Sequence, residues 1–382
     1  MAGAAGGTSA GAGPVSAARD TGDGGVLLVV EQLRRAVPGG IGTYARGLLQ
    51  GLATLAGGDG ALPPVTLLAS RPPATPDPLA AFGLPVMASA LPGPLLTRAW
   101  DRGLLRTPGR FAVVHALSLA VPPTGKSAEV VTVHDLAWRA VPDAYPRRGR
   151  RWHDKALGRA LRRASHFVVP SAAVAGDLVS AGAPSGAVTV VPHGSDHLPA
   201  PDHAAAGALL ERLGVGGEFV LSVGTLEPRK NLTRLFDAYA DARGALPGPW
   251  PLVVVGPTGW GARTPSRDGI VFAGPVGDGT LASLYERARL LAYVPLQEGF
   301  GLPPLEAMRA GTPVVASPLP STGDAALEVD PARVDEIAGA IVRLATDDAL
   351  RARHAAAGRA HAARLTWSAA AGAHVAVWAS LA

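Results

Sequence analysis

The chain has 382 residues, of which 48 are Gly and 35 are Pro. So high a content of Gly and Pro indicates disorder only when the hydrophobicity of the chain is low. Here 48% of the residues are hydrophobic. Short apolar runs bounded by turn formers recur along the chain, which excludes a disordered protein and, with the length, predicts two domains. Cys is absent, which excludes disulfides, thiolate metal sites and Cys nucleophiles.

The charge is modest and dispersed. The net charge is +5, and only three of the 35 basic residues are Lys. Scattered cations do not form the one-sided patch of a nucleic-acid-binding protein.

No stretch offers the roughly 20 unbroken apolar residues of a membrane span, and residues 1–22 lack the charged start and apolar core of a secretory signal. We expect a cytoplasmic protein with a flexible tail at 1–22.

Strands and helices alternate along the first half. Strands are predicted at 26–33, 65–69, 111–117, 130–134, 166–169 and 188–191, and helices at 43–55, 95–105, 148–164 and 172–181. Continuously apolar strands that alternate with helices predict a parallel sheet covered on both faces. The Pro-rich stretch 62–94 is not assigned beyond its one strand.

A polar segment at 192–203 reads as a linker, after which the pattern restarts. Strands are predicted at 219–223, 252–255, 270–272, 290–293 and 314–316, and helices at 232–243, 280–288, 304–310, 334–345, 348–363 and 368–381. Two such units predict an α/β protein with two facing Rossmann-like domains, at 23–198 and 199–364. Ligands of these sheets bind at the carboxyl ends of the strands.

The strongest local signal is EGFGLPPLE, from Glu298 to Glu306, directly after a predicted strand. In a helix, carboxylates at this spacing would lie about 12 Å apart, beyond the roughly 5–9.5 Å of a glycosidase pair. They suit the two hydroxyl-rich ends of one extended ligand, which Gly299 and Gly301 would let the backbone approach. The alternative is a tight turn with two solvated carboxylates.

The segment VGTLEPRKNL places Arg229 and Lys230 where a helix is predicted to begin. Cations at a helix N-terminus oppose the helix dipole, so their presence there indicates an anion. A diphosphate would bind both side chains. The alternative is a solvated surface pair.

Two weaker signals lie in the first half. PGGIGTY, with Gly40 and Gly42, is predicted to form a glycine turn that cradles phosphate, although a plain tight turn explains it equally well. His134, in VVTVHDL, ends a buried strand and is suited to orient a sugar hydroxyl or to transfer a proton. A purely structural histidine is the alternative.

In chain order, HDL, VPHGSD, SVGTLEPRKNL and EGFGLPPLEAMRAGTPVVAS resemble the retaining glycosyltransferases of family 4. The resemblance runs from about Val26 to the C-terminus. It implies the GT-B fold, with an acceptor-side first domain, a second domain that binds the nucleotide sugar, and a helix at 365–382 that crosses back to the first. The form GTLEPRKN most resembles bacterial mannosyltransferases that use GDP-mannose.

The resemblance also implies site residues. The catalytic positions are His134, near the reacting carbon, and Glu298, which would bind the transferred hexose. The donor-binding positions are Gly40, Gly42, Thr225, Arg229, Lys230, Val276, Gly299, Phe300, Gly301, Leu302 and Glu306.

Within that set, Glu306 would hold the ribose hydroxyls, and the backbone at 299–302 would contact the hexose. Arg229 and Lys230 would neutralise the diphosphate, which Gly40 and Gly42 would approach from the first domain. Val276 would lie near the base, and Thr225 stands where many relatives carry Arg.

The implied reaction is a front-face displacement with retention, without metal or other cofactor. The donor substrate would be a nucleoside diphosphate sugar, and the acceptor a glycan or a lipid-linked molecule. Two alternatives are a sugar-nucleotide 2-epimerase and a catalytically impaired relative that acts as a binding or assembly subunit. The second is suggested by a segment after Ser321 that is shorter than in relatives.

The segment 147–163 is strongly basic, with seven Arg residues. One interpretation is a peripheral contact with the inner face of the cell membrane, for a lipid-linked acceptor. The other is a solvated helix face.

Overall fold

Two parallel sheets organise the chain. A computed structural model describes residues 24–58, 62–74, 76–107, 109–248, 250–259 and 267–382, so the predicted tail at 1–22 lies outside the described residues. The predicted boundaries at 23–198, 199–364 and 365–382 stay predictions. Among the helices of the described residues, none is long and apolar enough to cross a membrane.

The first sheet has seven strands in the order β3-β2-β1-β4-β5-β6-β7, and all its pairs are parallel. These strands are β1 (Val26–Val29), β2 (Val65–Ala69), β3 (Val86–Ala88), β4 (Val113–Ala116), β5 (Ala128–Thr132), β6 (His166–Val169) and β7 (Val188–Val190). The helices that accompany them are α1 (Gly39–Ala56), α2 (Gly93–Asp101), α3 (Ala137–Ala140), α4 (Arg147–Arg163) and α5 (Ala172–Ser180).

The second sheet has six parallel strands in the order β10-β9-β8-β11-β12-β13. These strands are β8 (Val220–Val223), β9 (Leu252–Val255), β10 (Ile270–Gly274), β11 (Leu290–Tyr293), β12 (Val314–Ala316) and β13 (Leu327–Glu328). The helices are α6 (His203–Arg212), α7 (Leu232–Arg243), α8 (Asp278–Arg287), α9 (Leu302–Ala310), α10 (Val334–Thr346), α11 (Asp348–Ala363) and α12 (Trp367–Ala379).

Both sheets reverse their strand order once, between β1 and β4 and between β8 and β11. Such a switch point opens a crevice at the carboxyl ends of the strands, where ligands of doubly wound sheets bind. The segment VGTLEPRKNL follows β8, and EGFG follows β11. The two strongest sequence motifs therefore flank the switch point of the second sheet.

Several predicted elements need correction. The first strand ends at Val29, because the chain turns into a short 3-10 helix at Glu31–Arg34. The first helix begins at Gly39 rather than at Thr43, so the predicted glycine turn is the first turn of α1. The helix α6 was not predicted, and it begins at the last residue of the predicted linker, His203. The short edge strands β3 and β13 were not predicted, because neither is buried enough to show an apolar run.

The C-terminal helix α12 packs along α1, which returns the chain to the first domain as predicted. Two glycines of α1 make this close approach possible. A Cβ at Gly47 would overlap the indole ring of Trp367, and one at Gly51 would overlap the carbonyl oxygen of Trp367. The contact therefore depends on the absence of side chains at these two positions.

A buried chain of hydrogen bonds attaches α12 to the first sheet. Trp378 Nε1 donates to His115 Nδ1 (3.1 Å), so the ring proton of neutral His115 lies on Nε2, which donates to Thr132 Oγ1 (2.9 Å). His374 Nδ1 donates to a backbone carbonyl (2.7 Å), so its Nε2 accepts from Tyr44 Oη (2.7 Å). Thr132 Oγ1 completes the chain by donating to Tyr44 Oη (3.1 Å). Each polar atom has a partner, which removes the cost of burying it.

We predict that Gly51→Ala destabilises the protein. In a helix interior this change usually stabilises by about 1 kcal/mol, but here the overlap with Trp367 should lower the free energy of unfolding by about 1–3 kcal/mol. Gly176→Ala in α5 is the matched control, because nothing lies within 4 Å of its Cβ position. Thermal unfolding followed by circular dichroism measures both variants. A stabilised Gly51→Ala would contradict the packing of α12 on α1.

We also predict a loss of stability in mild acid. Burial lowers the pKa of His374 to about 4, whereas in the unfolded chain it binds a proton below about pH 6.5. Between these values only the unfolded state is protonated, so this residue should remove up to about 1.4 kcal/mol of stability per pH unit as pH falls.

The matched variant is His374→Gln, which cannot titrate. Urea unfolding at about pH 7 and about pH 5 should show a loss for this variant that is smaller by about 2 kcal/mol than for the parent chain. Equal losses in the two proteins would show that His374 does not contribute.

Candidate active site

The loops after β8 and β11 form one cluster of charges. Arg229 and Lys230 lie in a 3-10 turn, Pro228–Lys230, that Asn231 separates from α7 with a left-handed backbone (φ 57°). The helix α7 has the predicted bounds, and the two cations lie directly before its N-cap, Asn231, as predicted. Their side chains point to the loop after β11, where Glu298 lies.

Glu298 is the centre of the cluster. Its Oε2 accepts from Lys230 Nζ (2.7 Å), from an Arg229 guanidinium nitrogen (2.9 Å) and from Tyr293 Oη (3.0 Å). Burial disfavours the charged form, but the two cations outweigh it and lower the pKa of Glu298 to about 2. Glu298 is therefore a carboxylate at any physiological pH, and it occupies both cations.

Arg229 also has carboxylates on its other sides. Its guanidinium donates to Glu227 Oε1 (2.9 and 3.1 Å) and lies 3.9 Å from Asp135 Oδ2, which belongs to the first domain. Two cations thus face three carboxylates, those of Glu227, Asp135 and Glu298. An incoming anion must compete with these carboxylates, and a multivalent anion competes best.

The loop 298–301 packs directly on the first domain. A Cβ at Gly299 would overlap the carbonyl oxygen of His134, so only glycine permits this approach. Ser171 Oγ, at the start of α5, donates to the Gly299 carbonyl oxygen (2.9 Å). The Phe300 ring lies 4.7 Å from the ring of His193. The predicted hexose-binding backbone is therefore placed between the two domains.

His134 is held from its own domain. Its Nε2 donates to the carbonyl oxygen of Leu117 (3.0 Å), and its ring meets Tyr44 edge-on at 4.7 Å. Burial lowers the pKa of His134, although the Leu117 carbonyl partly opposes the shift. The ring is neutral, and since Nε2 carries the proton, Nδ1 is the nitrogen that can accept a hydrogen bond.

Glu306 is buried in α9, away from the cations. Tyr285 Oη donates to its Oε2 (2.7 Å), and His197 Nε2 lies 3.0 Å from its Oε1. Trp367 Nε1 donates to His197 Nδ1 (3.0 Å), which places the proton of neutral His197 on the nitrogen that faces Glu306. The first residue of α12 thereby sets the tautomer of the histidine beside this carboxylate.

The other predicted donor residues lie at the edges of this region. Gly40 and Gly42 are in the first turn of α1, where the Gly42 amide already donates to Pro38 (3.2 Å). Thr225 follows β8, and Val276 lies half-buried between β10 and α8. Gly301 (φ 99°) precedes α9, which begins at Leu302. The structure draws Arg229, Lys230, Glu298 and the His134 backbone together. Thr225 lines the same small cavity as Lys230 and Tyr293.

The segment after Ser321, which the resemblance implies to be shorter than in relatives, contacts both the loop 298–301 and α11. The Ser321 amide donates to the carbonyl oxygen of Phe300 (3.2 Å), and His361 Nε2 donates to the Ser321 carbonyl oxygen (2.9 Å). Ser321 therefore links the loop 298–301 to α11.

Sequence reasoning missed the residues that hold these groups. Tyr293 and Tyr285 contact Glu298 and Glu306, and His197 lies in what was read as a linker. The sequence offered two signals for these residues: Tyr293 is the last residue of the apolar strand β11, and His197 lies in the polar segment PHGSDH. Neither signal indicated which carboxylate the residue contacts, because the two partners of each pair lie on separate elements.

Two family models match the chain. The model described as Glycosyltransferase Family 4 matches residues 38–197, and the model described as Glycosyl transferases group 1 matches residues 217–347. Between them they cover every strand except β1 and more than half of the chain. The chain belongs to glycosyltransferase family 4. The membership of this family that the motifs predicted is thus confirmed.

Curated relatives of this glycosyltransferase include two bacterial mannosyltransferases. O-antigen chain mannosyltransferase B of Escherichia coli is 32% identical over 253 residues, which cover 62% of this chain and 66% of that protein. The serotype-specific mannosyltransferase WbdA of Escherichia coli is 32% identical over 42% of this chain, but the match spans only 22% of WbdA. A D-inositol 3-phosphate glycosyltransferase of Acidothermus cellulolyticus is 31% identical over 69% of this chain and 66% of its own.

Solved structures agree on the fold. HepE of Anabaena, in complex with UDP and glucose, superposes with a TM-score of 0.70 at 19% identity, over 93% of this chain and 99% of that one. Sucrose-phosphate synthase of Thermosynechococcus elongatus gives 0.71 at 22% identity, over 94% and 99%. The predicted GT-B fold of this glycosyltransferase is confirmed.

We predict that His197 positions Glu306. In His197→Leu the hydrogen bond from Trp367 and the proton facing Glu306 are both lost, so guanosine affinity should fall about tenfold if Glu306 holds the ribose. His197→Gln, which keeps a donor and an acceptor, should restore most of the affinity.

His203→Leu, at a mostly exposed histidine of the same domain, is the control. Calorimetric titration measures all three. An unchanged affinity in His197→Leu would contradict the role.

Proposed function

We propose that this glycosyltransferase moves a mannosyl residue from GDP-mannose to a glycan or lipid-linked acceptor, with retention and without a metal ion or other cofactor. The observation that carries the proposal is the Glu298 carboxylate, which Lys230 and Arg229 hold at the seam, the surface where the loop 298–301 packs on the first domain. The two mannosyltransferases among the relatives support mannose as the transferred sugar.

In this proposal the donor changes the pairing of the charges. Its diphosphate would replace the carboxylate of Glu298 on Lys230 and Arg229, because two linked phosphates attract both cations more strongly than one carboxylate does. Glu298 would then be free to accept hydrogen bonds from the hexose. A carboxylate accepts hydrogen bonds only, which suits it to bind the hydroxyls of a sugar.

The transfer step moves one electron pair and one proton. The bond between the anomeric carbon and the phosphate oxygen breaks, and its electron pair stays on that oxygen, which Arg229 and Lys230 would stabilise. The acceptor oxygen forms its bond to the same face of the carbon, and its proton passes to the leaving phosphate. Two fixed cations provide the charge that a metal ion provides in other enzymes.

His134 would orient the sugar rather than transfer a proton. Its Nε2 is committed to the carbonyl oxygen of Leu117, so only the Nδ1 lone pair is available, and it can accept from a hexose hydroxyl. Burial keeps the pKa of His134 low, which keeps this lone pair unprotonated at neutral pH.

We predict that variants of the two partners in the ion pair, Lys230 and Glu298, change GDP affinity in different ways. Lys230→Ala should weaken GDP binding about 10- to 100-fold and leave guanosine binding unchanged, because only GDP carries the diphosphate. Glu298→Gln removes the competing carboxylate, so GDP affinity should hold or rise while turnover falls by about 100-fold.

Calorimetry with GDP and guanosine, and sugar release from GDP-mannose, measure these effects. Lys126→Ala is the control for Lys230→Ala, since Lys126 is exposed and outside the site. Equal losses of GDP and guanosine affinity in Lys230→Ala would contradict a diphosphate site. Thermal shifts with GDP-, UDP-, ADP- and dTDP-sugars test the base, and NMR of the product tests retention.

A further inference from the structure

Asp135 is the carboxylate that the first domain contributes to the charged cluster. It follows His134 in the loop after β5, and its Oδ1 accepts from the amide of Ala137 (3.0 Å), which fixes the side chain. Its Oδ2 lies 3.9 Å from a guanidinium nitrogen of Arg229, which belongs to the second domain. A Cβ at Gly299 would lie 3.0 Å from Asp135 Cβ, so this carboxylate stands at the seam.

Of the three carboxylates in the cluster, Asp135 is held least by a cation. Glu298 accepts three hydrogen bonds, and Glu227 accepts two from the guanidinium of Arg229. The 3.9 Å between Asp135 and Arg229 is too long for a hydrogen bond. Asp135 is also the most exposed of the three, since 21% of its side chain is exposed, against 15% for Glu298 and 5% for Glu227. Its Oδ2 can therefore be reached by a molecule that enters between the domains.

The proposed reaction draws Arg229 away from this oxygen. In that reaction the diphosphate takes the guanidinium, and an ionised phosphate cannot donate a hydrogen bond to a carboxylate. A half-buried carboxylate is costly to leave without a donor. With the nucleotide sugar bound, Asp135 Oδ2 therefore needs a hydrogen-bond donor from another molecule.

The geometry of retention brings the acceptor to this oxygen. A front-face displacement places the acceptor oxygen on the side of the anomeric carbon from which the phosphate leaves. The acceptor therefore lies beside the diphosphate, and hence beside Arg229. Glu298 approaches from the second domain and serves the hexose, whereas Asp135 approaches the same guanidinium from the first domain. The molecule that meets Asp135 is therefore the acceptor.

The charge of the occupied site restricts the kind of acceptor that can bind there. With the donor in place, three carboxylates and two phosphate charges face the two cations Arg229 and Lys230. Like charges repel strongly at short range where water does not screen them. A phosphate or carboxylate on the acceptor sugar would add to this repulsion, whereas a sugar hydroxyl can donate to Asp135.

We propose that Asp135 accepts a hydrogen bond from a hydroxyl of the acceptor and thereby selects an acceptor whose terminal sugar is uncharged. The donating hydroxyl is a neighbour of the attacking one, so the proton of the attacking hydroxyl still passes to the leaving phosphate. This inference rests on the proposed function, since it requires a diphosphate on Arg229. It adds the chemical class of the acceptor and a residue that determines specificity.

The test compares the parent chain with Asp135→Asn on matched acceptor probes, with GDP-mannose as the donor. The probes are the methyl glycosides of mannose, glucose, galactose and N-acetylglucosamine, each with and without a 6-phosphate. The parent should transfer to an uncharged probe with a kcat/KM at least about tenfold above that for its phosphorylated form.

The variant should change the two kinds of probe in opposite directions. Asparagine keeps an oxygen for the Ala137 amide but carries no charge. Asp135→Asn should therefore lower kcat/KM about tenfold for the uncharged probe, which loses a charge-assisted hydrogen bond, and raise it about tenfold for the phosphorylated form, which is no longer repelled. A structural defect would lower both values.

Two controls separate this inference from the function on which it rests. Asp177→Asn removes the same charge from an exposed position of α5 in the same domain and should behave as the parent does. Sugar release from GDP-mannose without an acceptor tests the proposed function alone, and if the parent releases no sugar, that function and this inference both fail. If it does release sugar, three results overturn this inference alone: preference of the parent for phosphorylated probes, no transfer to any uncharged probe, or an equal change for both kinds of probe in Asp135→Asn.

Discussion

Trp367 is the residue on which the joining of the two domains depends. Its amide donates to Asp196 (2.7 Å) and its indole nitrogen to His197 (3.0 Å), both in the segment where the chain first leaves the first domain. Its ring packs over Gly47 of α1 and stacks on His193 at 5.7 Å. One side chain thus connects the two crossings of the chain, the first domain and the histidine beside Glu306.

The seam at Trp367 also contains a group without a partner. Within the described residues, neither ring nitrogen of His193 has a hydrogen bond, although the ring is buried among Tyr44, Phe300 and Trp367. Burying such a group costs about 1–3 kcal/mol. Packing of the ring against Tyr44, Phe300 and Trp367 offsets part of that cost.

The charged cluster lies where the two domains meet. Arg229 contacts Asp135 of the first domain and Glu298 of the second, so the position of its guanidinium depends on both. An anion that draws Arg229 away from these carboxylates changes the charge at the seam itself. Buried ion pairs are sensitive to such a change, because water does not screen them.

The sequence alone determined the two sheets and the loops that carry the motifs. Every strand except the edge strands β3 and β13 shows a local apolar run in the sequence. Parallel strands place the loops that follow them at one edge of the sheet, so the segments after β8 and β11 had to be neighbours. Tertiary structure alone decided which atoms pair. Arg229 binds Glu298, which lies 69 positions away in the sequence, and Trp367 donates to His197, which lies 170 positions away. Gly299 packs on the backbone of His134, which belongs to the other domain. Local periodicity has no information on such contacts, because each joins residues that are distant in the sequence and come together only in the folded chain.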